Sequence, residues 1–292
     1  MAITRFRPEI WSAALLVALQ KRLVYAQPGV VNRDYEGEIS EAGDTVRITS
    51  VSDPTIGTYT PNGTAIVPEE LTDAQRTLVV DQAKYFAFYV DDVDKRQAKG
   101  DVIPTAMMRA AYKLADQADQ YVAGFYTGIQ AGNAVNAGST ITFTAIGATA
   151  TEEFYNKVLV PLKVKLDEAN VPTEGRYVVV PSWGHAMLLL SSLFSRADGS
   201  GAAAAGRNGY VGEAAGFNIL MSNNTPVPAG GRNIVTAGVD MGISFAEQIN
   251  KTEAYRPEAK FADAVKGLYL YGGKLVRPDA LAYADVTRPT GI

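Results

Sequence analysis

Residues Asp53–Asp73 carry Pro54, Gly57, Pro61, Asn62-Gly63 and Pro68 but few large apolar side chains, so this stretch cannot bury itself. Loops longer than about 12–15 residues are uncommon inside compact domains and are usually functional. The residues on either side read as strands. Val46 and Ile48 alternate with Arg47 and Thr49, and comparable stretches run from Arg76 to Val80 and from Tyr85 to Val90. The pattern predicts a two-stranded arm over Asp44–Gln82 that projects from the body and turns near Asn62-Gly63. A hairpin alone is marginal in water, so the arm is expected to draw its stability from outside the monomer.

Ahead of the arm, Glu9–Tyr25 places Ile10, Trp11, Ala14, Leu15, Ala18 and Leu19 on one stripe at helical spacing. Such a helix is expected to dock on its own core or to pack on a neighbouring subunit. The apolar run Ile10–Leu19 does not read as a secretory signal: Pro8-Glu9 interrupts its entry, Lys21-Arg22 follows at once, and no small-residue cleavage site closes it. No stretch approaches the roughly 18 apolar residues of a membrane span, and the chain is expected to stay in the cytosol.

Beyond the arm, a helix is expected over Pro104–Gln130, with Met107, Ala111, Leu114, Ala118, Val122, Phe125 and Ile129 on one face and Arg109, Lys113, Asp116 and Asp119 off it. At 1.5 Å per residue it would be a rod of roughly 40 Å, stopped by Gly132, Asn133 and Gly138. A strand is expected at Thr140–Thr144. A second helix opens at Thr151-Glu152-Glu153-Phe154, capped by the Thr hydroxyl, and ends by Asn170 and Pro172. Tyr177–Val180 reads as a buried strand, and Ser182 as the cap of a helix over Trp183–Phe194. Asp198–Gly216 is rich in glycine and small residues. Further strands are expected at Phe217–Met221, ended by Asn223-Asn224-Thr225-Pro226, and at Asn233–Thr236, Gly242–Phe245, Phe261–Tyr271 and Lys274–Arg277. Gly272-Gly273 would join the last two as a hairpin turn. Without regular βαβ alternation, the class is α+β.

Composition narrows the chemistry. There is no cysteine and one histidine, His185, which removes disulfides, thiolate nucleophiles and imidazole metal cages. With 27 Lys+Arg against 31 Asp+Glu, no strongly basic face for nucleic acid is expected. A serine hydrolase using His185 fails on its motif: the nucleophile turn is G-x-S-x-G, whereas Val180-Pro181-Ser182-Trp183-Gly184 lacks the first glycine. Asp91, Asp92 and Asp94 begin like a calcium loop, but Arg96 and Gln97 stand at the next ligand and glycine positions. Gly267–Lys274 misses the phosphate-loop template because Gly273 precedes Lys274 and Leu275 follows it. Gly206, Gly209, Gly212 and Gly216 lack the G-x-G core of a dinucleotide turn. The sequons at Asn62, Asn223 and Asn250 are read as chance matches, and Glu69-Glu70 and Glu152-Glu153 as solvated or dipole-compensating pairs. No catalytic residue, cofactor or metal ligand is therefore expected. The chain reads as one built for contacts.

The order of elements resembles the major capsid protein of tailed bacteriophages over essentially the whole chain. The likeness is carried by Trp11 through Asn32-Arg33-Asp34-Tyr35-Glu36-Gly37, Gly43-Asp44-Thr45-Val46-Arg47-Ile48 and Val178-Val179-Val180-Pro181. It continues in Asn208-Gly209-Tyr210-Val211-Gly212 with Gly216-Phe217, Ser222-Asn223-Asn224 and Tyr271-Gly272-Gly273-Lys274-Leu275-Val276-Arg277-Pro278. The resemblance implies the Hong Kong ninety-seven type of capsid fold. It would comprise an N-terminal arm (1–43), an extended loop (44–82), a peripheral domain with a spine helix (83–135), an axial domain (136–255) and return strands of the peripheral domain (256–292). It implies self-assembly through hexamers and pentamers into an icosahedral head, formed in the host cytoplasm and enclosing double-stranded DNA without reading its sequence. A separate scaffolding protein, a portal and decoration proteins are the further partners implied, with no membrane. Some relatives weld neighbours through an extended-loop lysine, but Asp44–Gln82 contains no lysine. The alternatives are an encapsulating nanocompartment shell of the same fold and an α+β hydrolase using His185.

Overall fold

The computed structural model describes residues 24–34, 45–51, 56, 73–91, 102–136, 139–143, 152–191, 212–228, 230–258 and 261–289. The first 23 residues, the arm tip around Asn62-Gly63, Glu69-Glu70, Asp92–Gln97, Phe194 and the glycines at 206 and 209 lie outside them. Val24 and Tyr25, the last two positions of the expected N-terminal helix, are irregular.

The described residues form three sheets. β1 (Thr45–Val51) and β2 (Asp73–Val79) pair antiparallel from Thr45↔Val79 to Val51↔Asp73, which is the expected arm. β3 (Gln82–Asp91) follows β2 after a two-residue link and forms one edge of a three-stranded antiparallel sheet, β3-β10-β9, with β9 at Ile243–Tyr255 and β10 at Ala262–Leu275. The six-stranded sheet runs β4-β11-β8-β5-β7-β6. Its strands are β4 (Ala134–Val135), β5 (Tyr177–Val180), β6 (Glu213–Ala214), β7 (Phe217–Met221), β8 (Arg232–Gly238) and β11 (Leu281–Thr287).

Alternation along β5 divides the interior. Val178 and Val180 face a core of Phe154, Leu162, Leu166, Trp183 and Phe217, beneath α2 (Val160–Glu168) and α3 (Ser182–Leu190). Tyr177 and Val179 face the opposite way, toward Leu114, Ala118 and Val122 of α1 (Val102–Ala123) and the aromatic rings of Phe245, Tyr269 and Tyr271. The long helix thus lies on the other side of the six-stranded sheet from α2 and α3. Its Ala111, Leu114, Ala118 and Val122 are buried and its Met107 half-buried; beyond its end, Phe125 is half-buried and Ile129 buried, so the expected stripe faces inward.

Several boundaries differ from the expectation for identifiable reasons. The long helix begins at Val102, so Pro104 sits inside the first turn where its missing N–H costs nothing. It stops at Ala123, and Gly124–Gly128 continues as a tighter 3-10 turn, so the rod is roughly 33 Å long. The next helix contains a π-turn at Tyr155–Leu159 directly before Pro161, whose absent N–H cannot continue the α-helical bonding ladder there. Ser182 is the first residue of α3 and makes no side-chain cap, and the helix ends at Leu190. Thr140–Thr144 is reduced to a single bridge from Ile141 to Val286, because β4 already occupies β11 at Tyr283 and Ala284. β9 is far longer than Gly242–Phe245; its outer half, Gln248-Ile249-Asn250-Lys251-Thr252-Glu253, is mostly polar because it lies along a sheet edge.

The largest correction concerns Gly272-Gly273, which is not a turn. β10 passes straight through both residues, pairing Gly272 with Ala246 and Gly273 with Phe245. A Cβ on Gly272 would stand 2.4 Å from the Val79 carbonyl oxygen and 2.7 Å from Val80 Cα, since the base of the arm crosses the sheet at that point. The glycine is there for close approach of two backbones. Gly272→Ala is therefore expected to cost about 1–3 kcal/mol in chemical denaturation, and a melting curve equal to the parent's would contradict this packing.

Candidate functional site: the ribbon, its root and the open sheet face

The arm is a ribbon whose long edges are both unpaired among the described residues. Its base is fixed by its own body, contrary to the expectation that its stability comes wholly from outside the monomer. Leu78 and Val80 are buried with Ala246 and Leu270 in a small separate cluster, with Val276 packed against it. Arg76 Nη1 donates to the Leu275 carbonyl oxygen at 3.3 Å. Beyond this base the ribbon consists of hydrogen-bonded backbone, a template for pairing with another chain.

The three-stranded sheet presents one face to solvent. Tyr85 and Tyr89 point outward along β3, opposite Leu268 and Ala264 of β10, and Tyr255 completes the third row on β9. Lys266 Nζ bridges Glu253 at 2.9 Å and lies 5.3 Å from the centroid of the Tyr255 ring. Phe261, at the entry to β10, is strongly exposed. Large aromatics gathered on an open face mark an interaction surface.

A third part is the root of the N-terminal segment, residues 24–34. Tyr25, Ala26, Val30 and Val31 are buried against α1 and the aromatic cluster. Asn32 N–H donates to the Ile243 carbonyl at 2.8 Å, and Phe245 N–H returns a bond to the Asn32 carbonyl at 2.9 Å, so the root adds a bridge to the edge of β9. Arg33 pairs with Glu247, which also accepts from the Tyr269 hydroxyl. Asp119 was expected on the outer face of α1 but is only 3% exposed. Its Oδ1 accepts from Val24 N–H at 2.8 Å and Tyr25 N–H at 2.6 Å, and its Oδ2 from Asn224 Nδ2 at 3.0 Å. Burial holds this carboxyl above its usual range, against the downward pull of its donors. Two clefts flank the root, one of about 590 Å³ beside Gln27–Val30 and one of about 180 Å³ beside Val24.

The residues weighed for catalysis do not converge. His185 is half-buried on α3, where desolvation lowers its pKa, and its backbone N–H donates to the Pro181 carbonyl at 3.0 Å. Ser182 is exposed at the start of the same helix. The Gly267–Lys274 stretch is extended strand rather than a phosphate-binding loop. Glu153 pairs with Lys157 one helical turn on, at 3.2 Å. Among the described residues, no group of three or more His, Asp or Glu side chains is placed to hold a metal ion. Sequence reasoning missed Asp119, Glu247 and Asn133, whose Nδ2 donates to the carbonyls of Asp279 at 2.7 Å and Leu281 at 2.9 Å. Each is a polar residue that tertiary packing placed inside, with no local signal to reveal it.

The described residues thus combine a long helix, two sheets and a two-stranded ribbon with open edges. Residues 73–284 match the phage capsid protein family, and the chain belongs to that family. A solved structure from Mycobacterium phage Che8 is 31% identical, with 90% of each chain covered and a TM-score of 0.71. The capsid of cyanophage P-SCSP1u is 20% identical over 86% of this chain and 85% of its own, with a TM-score of 0.67. A virus-like particle from Pyrococcus furiosus shares the fold more distantly, at 14% identity over 94% and 98% of the two chains and a TM-score of 0.51. Comparison with curated protein sequences gave no match. The fold is the α+β capsid fold of the Hong Kong ninety-seven type, and the protein is a structural major capsid protein that self-assembles into the phage head shell.

Proposed function

We propose that the subunits assemble through hexamers and pentamers, with each ribbon lying on an adjacent subunit. The observation that carries this reading is the β1–β2 ladder: seven paired positions with open edges and only its base packed on its own body. A two-stranded ribbon gains stability when a further strand or an apolar face covers it, and the exposed aromatic face of β3-β10-β9 offers such a cover. Modest contacts to several neighbours then sum to a stable shell.

In this reading the spine is α1, and strand pairing adjusts the domain limits. β9, placed with the axial residues by the division at 255, pairs with β10 in the sheet whose other edge is β3. β11, placed with the return strands, pairs with β8 and β4 in the six-stranded sheet. The peripheral body is then β3, α1, β9 and β10, and the axial body is the six-stranded sheet with α2 and α3. The role is architectural rather than catalytic. Assembly takes place in the host cytoplasm on a separate scaffolding protein, with a portal and decoration proteins joining the shell. The shell encloses double-stranded DNA without sequence-specific contacts, in keeping with a chain whose 31 acidic residues outnumber its 27 basic ones.

Negative-stain microscopy and sedimentation of the purified protein test the reading. Closed shells or capsomer rings are expected, and a persistent monomer at every concentration would overturn it.

A further inference from the structure

On α1, Met108 is 61% exposed and Tyr112 47%, and with Ala115 and Asp119 they follow one line along the helix at spacings of three and four. That line ends where Asp119 pins the root. Across from it Met221, at the end of β7, is 50% exposed. Val24, Tyr112, Ala115 and Met221 form the apolar part of the lining of the cleft of about 180 Å³, room for one large side chain, and Asp116, Asp119, Ser222, Asn223 and Asn224 form its polar part. Methionine is adaptable and over-used at binding surfaces.

Four observations point to the occupant. Asp119 fixes the amides of Val24 and Tyr25, so the residue before Val24 leaves the root at the mouth of the cleft. The preceding residues carry the apolar stripe Ile10, Trp11, Ala14, Leu15, Ala18 and Leu19. From Met108 to Asp119 the helix rises roughly 16 Å, and Ile10–Leu19 in helical form would rise about 14 Å. Charge also matches, since Lys21-Arg22 lie just ahead of Val24 and Asp116 borders the cleft. We propose that Glu9–Leu23 docks along this line of its own chain's α1, with Leu19 entering the cleft, Leu15 and Trp11 running toward Met108, and Lys21-Arg22 beside Asp116. The N-terminal segment is then clamped to its own spine helix, whichever neighbours the ribbon meets.

The absence of native cysteine makes disulfide trapping unambiguous. In purified protein, oxidation of the pairs L19C/M221C and L15C/M108C is expected to give a reducible, monomer-sized cross-linked species in most chains. The pair L19C/V164C, with Val164 on the far side of the six-stranded sheet, is expected to give several-fold less. Cross-linked dimers from L19C/M221C would assign the cleft to a neighbour's segment and overturn the proposal, as would yields no higher than the control. Amide exchange gives a second readout that needs no cysteine. Residues 9–23 are expected to exchange several-fold slower in the parent than in Met221→Lys, which sets a cation in the cleft that Leu19 would fill and beside Lys21-Arg22. Equal exchange in the two proteins would also overturn the proposal.

Discussion

Replacing residues 52–72 by an Asn-Gly turn is expected to give a folded subunit that no longer closes shells. Val51 and Asp73 pair directly, so a two-residue turn can join them without disturbing the ladder. Leu78, Val80, Ala246 and Leu270, which anchor the ribbon, lie outside the deletion. Thermal unfolding should therefore stay close to the parent's while particles vanish from micrographs and sedimentation profiles. The two readouts separate a lost contact from a lost fold. Normal particles from the shortened chain would show that the ribbon's outer part is dispensable for closure.

The second large effect concerns Asp119. Asp119→Ala takes the acceptor from two root amides and removes one of the two carboxylates to which Asn224 Nδ2 donates, at a side chain only 3% exposed. Bonds to a charged group contribute about 1.5–3 kcal/mol each, and stranded buried donors add their desolvation cost, so a loss of about 3–5 kcal/mol is expected in urea denaturation. Asp119→Asn keeps one oxygen for the amides and should cost less. The pH dependence has a defined sign. Because burial raises the carboxyl above its unfolded value, its contribution is complete below that unfolded value and is lost as pH rises through the folded one. The parent's advantage over Asp119→Asn should therefore be largest at the acid end of that window and shrink above it. An advantage that grows with pH would mean that the donors outweigh desolvation at this site.

Alternation and punctuation made much of the architecture readable. Val46 and Ile48 against Arg47 and Thr49 marked one strand of the ribbon. The apolar stripe of α1 was equally plain, because a helix buried on one face must repeat at that spacing. What failed was whatever depended on contacts distant in sequence. A Gly-Gly pair serves equally for a turn and for two backbones crossing, and only the position of Val79 distinguishes them. Asp119 reads as surface in any helical projection, since nothing near it in sequence announces that the N-terminal root will cover it. Most of β9 is polar because it lines an edge, which left only its buried beginning visible. The candidate site was legible chiefly by exclusion. One histidine and no cysteine leave few routes to catalysis, whereas the root, built from pairings such as Asp119 with Val24 and Glu247 with Arg33, carries no motif.

The two-residue link from β2 to β3 also has a mechanical meaning. Tension on the ribbon in a filled, stretched shell reaches the body at Gln82, the first rung of a ladder running from Gln82↔Tyr271 to Asp91↔Ala262. That end of the ladder is riveted by Leu78 and Val80 and by the backbone seated on Gly272. Load therefore enters where the ribbon's base is packed on the sheet, and unzipping of β3 must begin at a rung that those contacts hold.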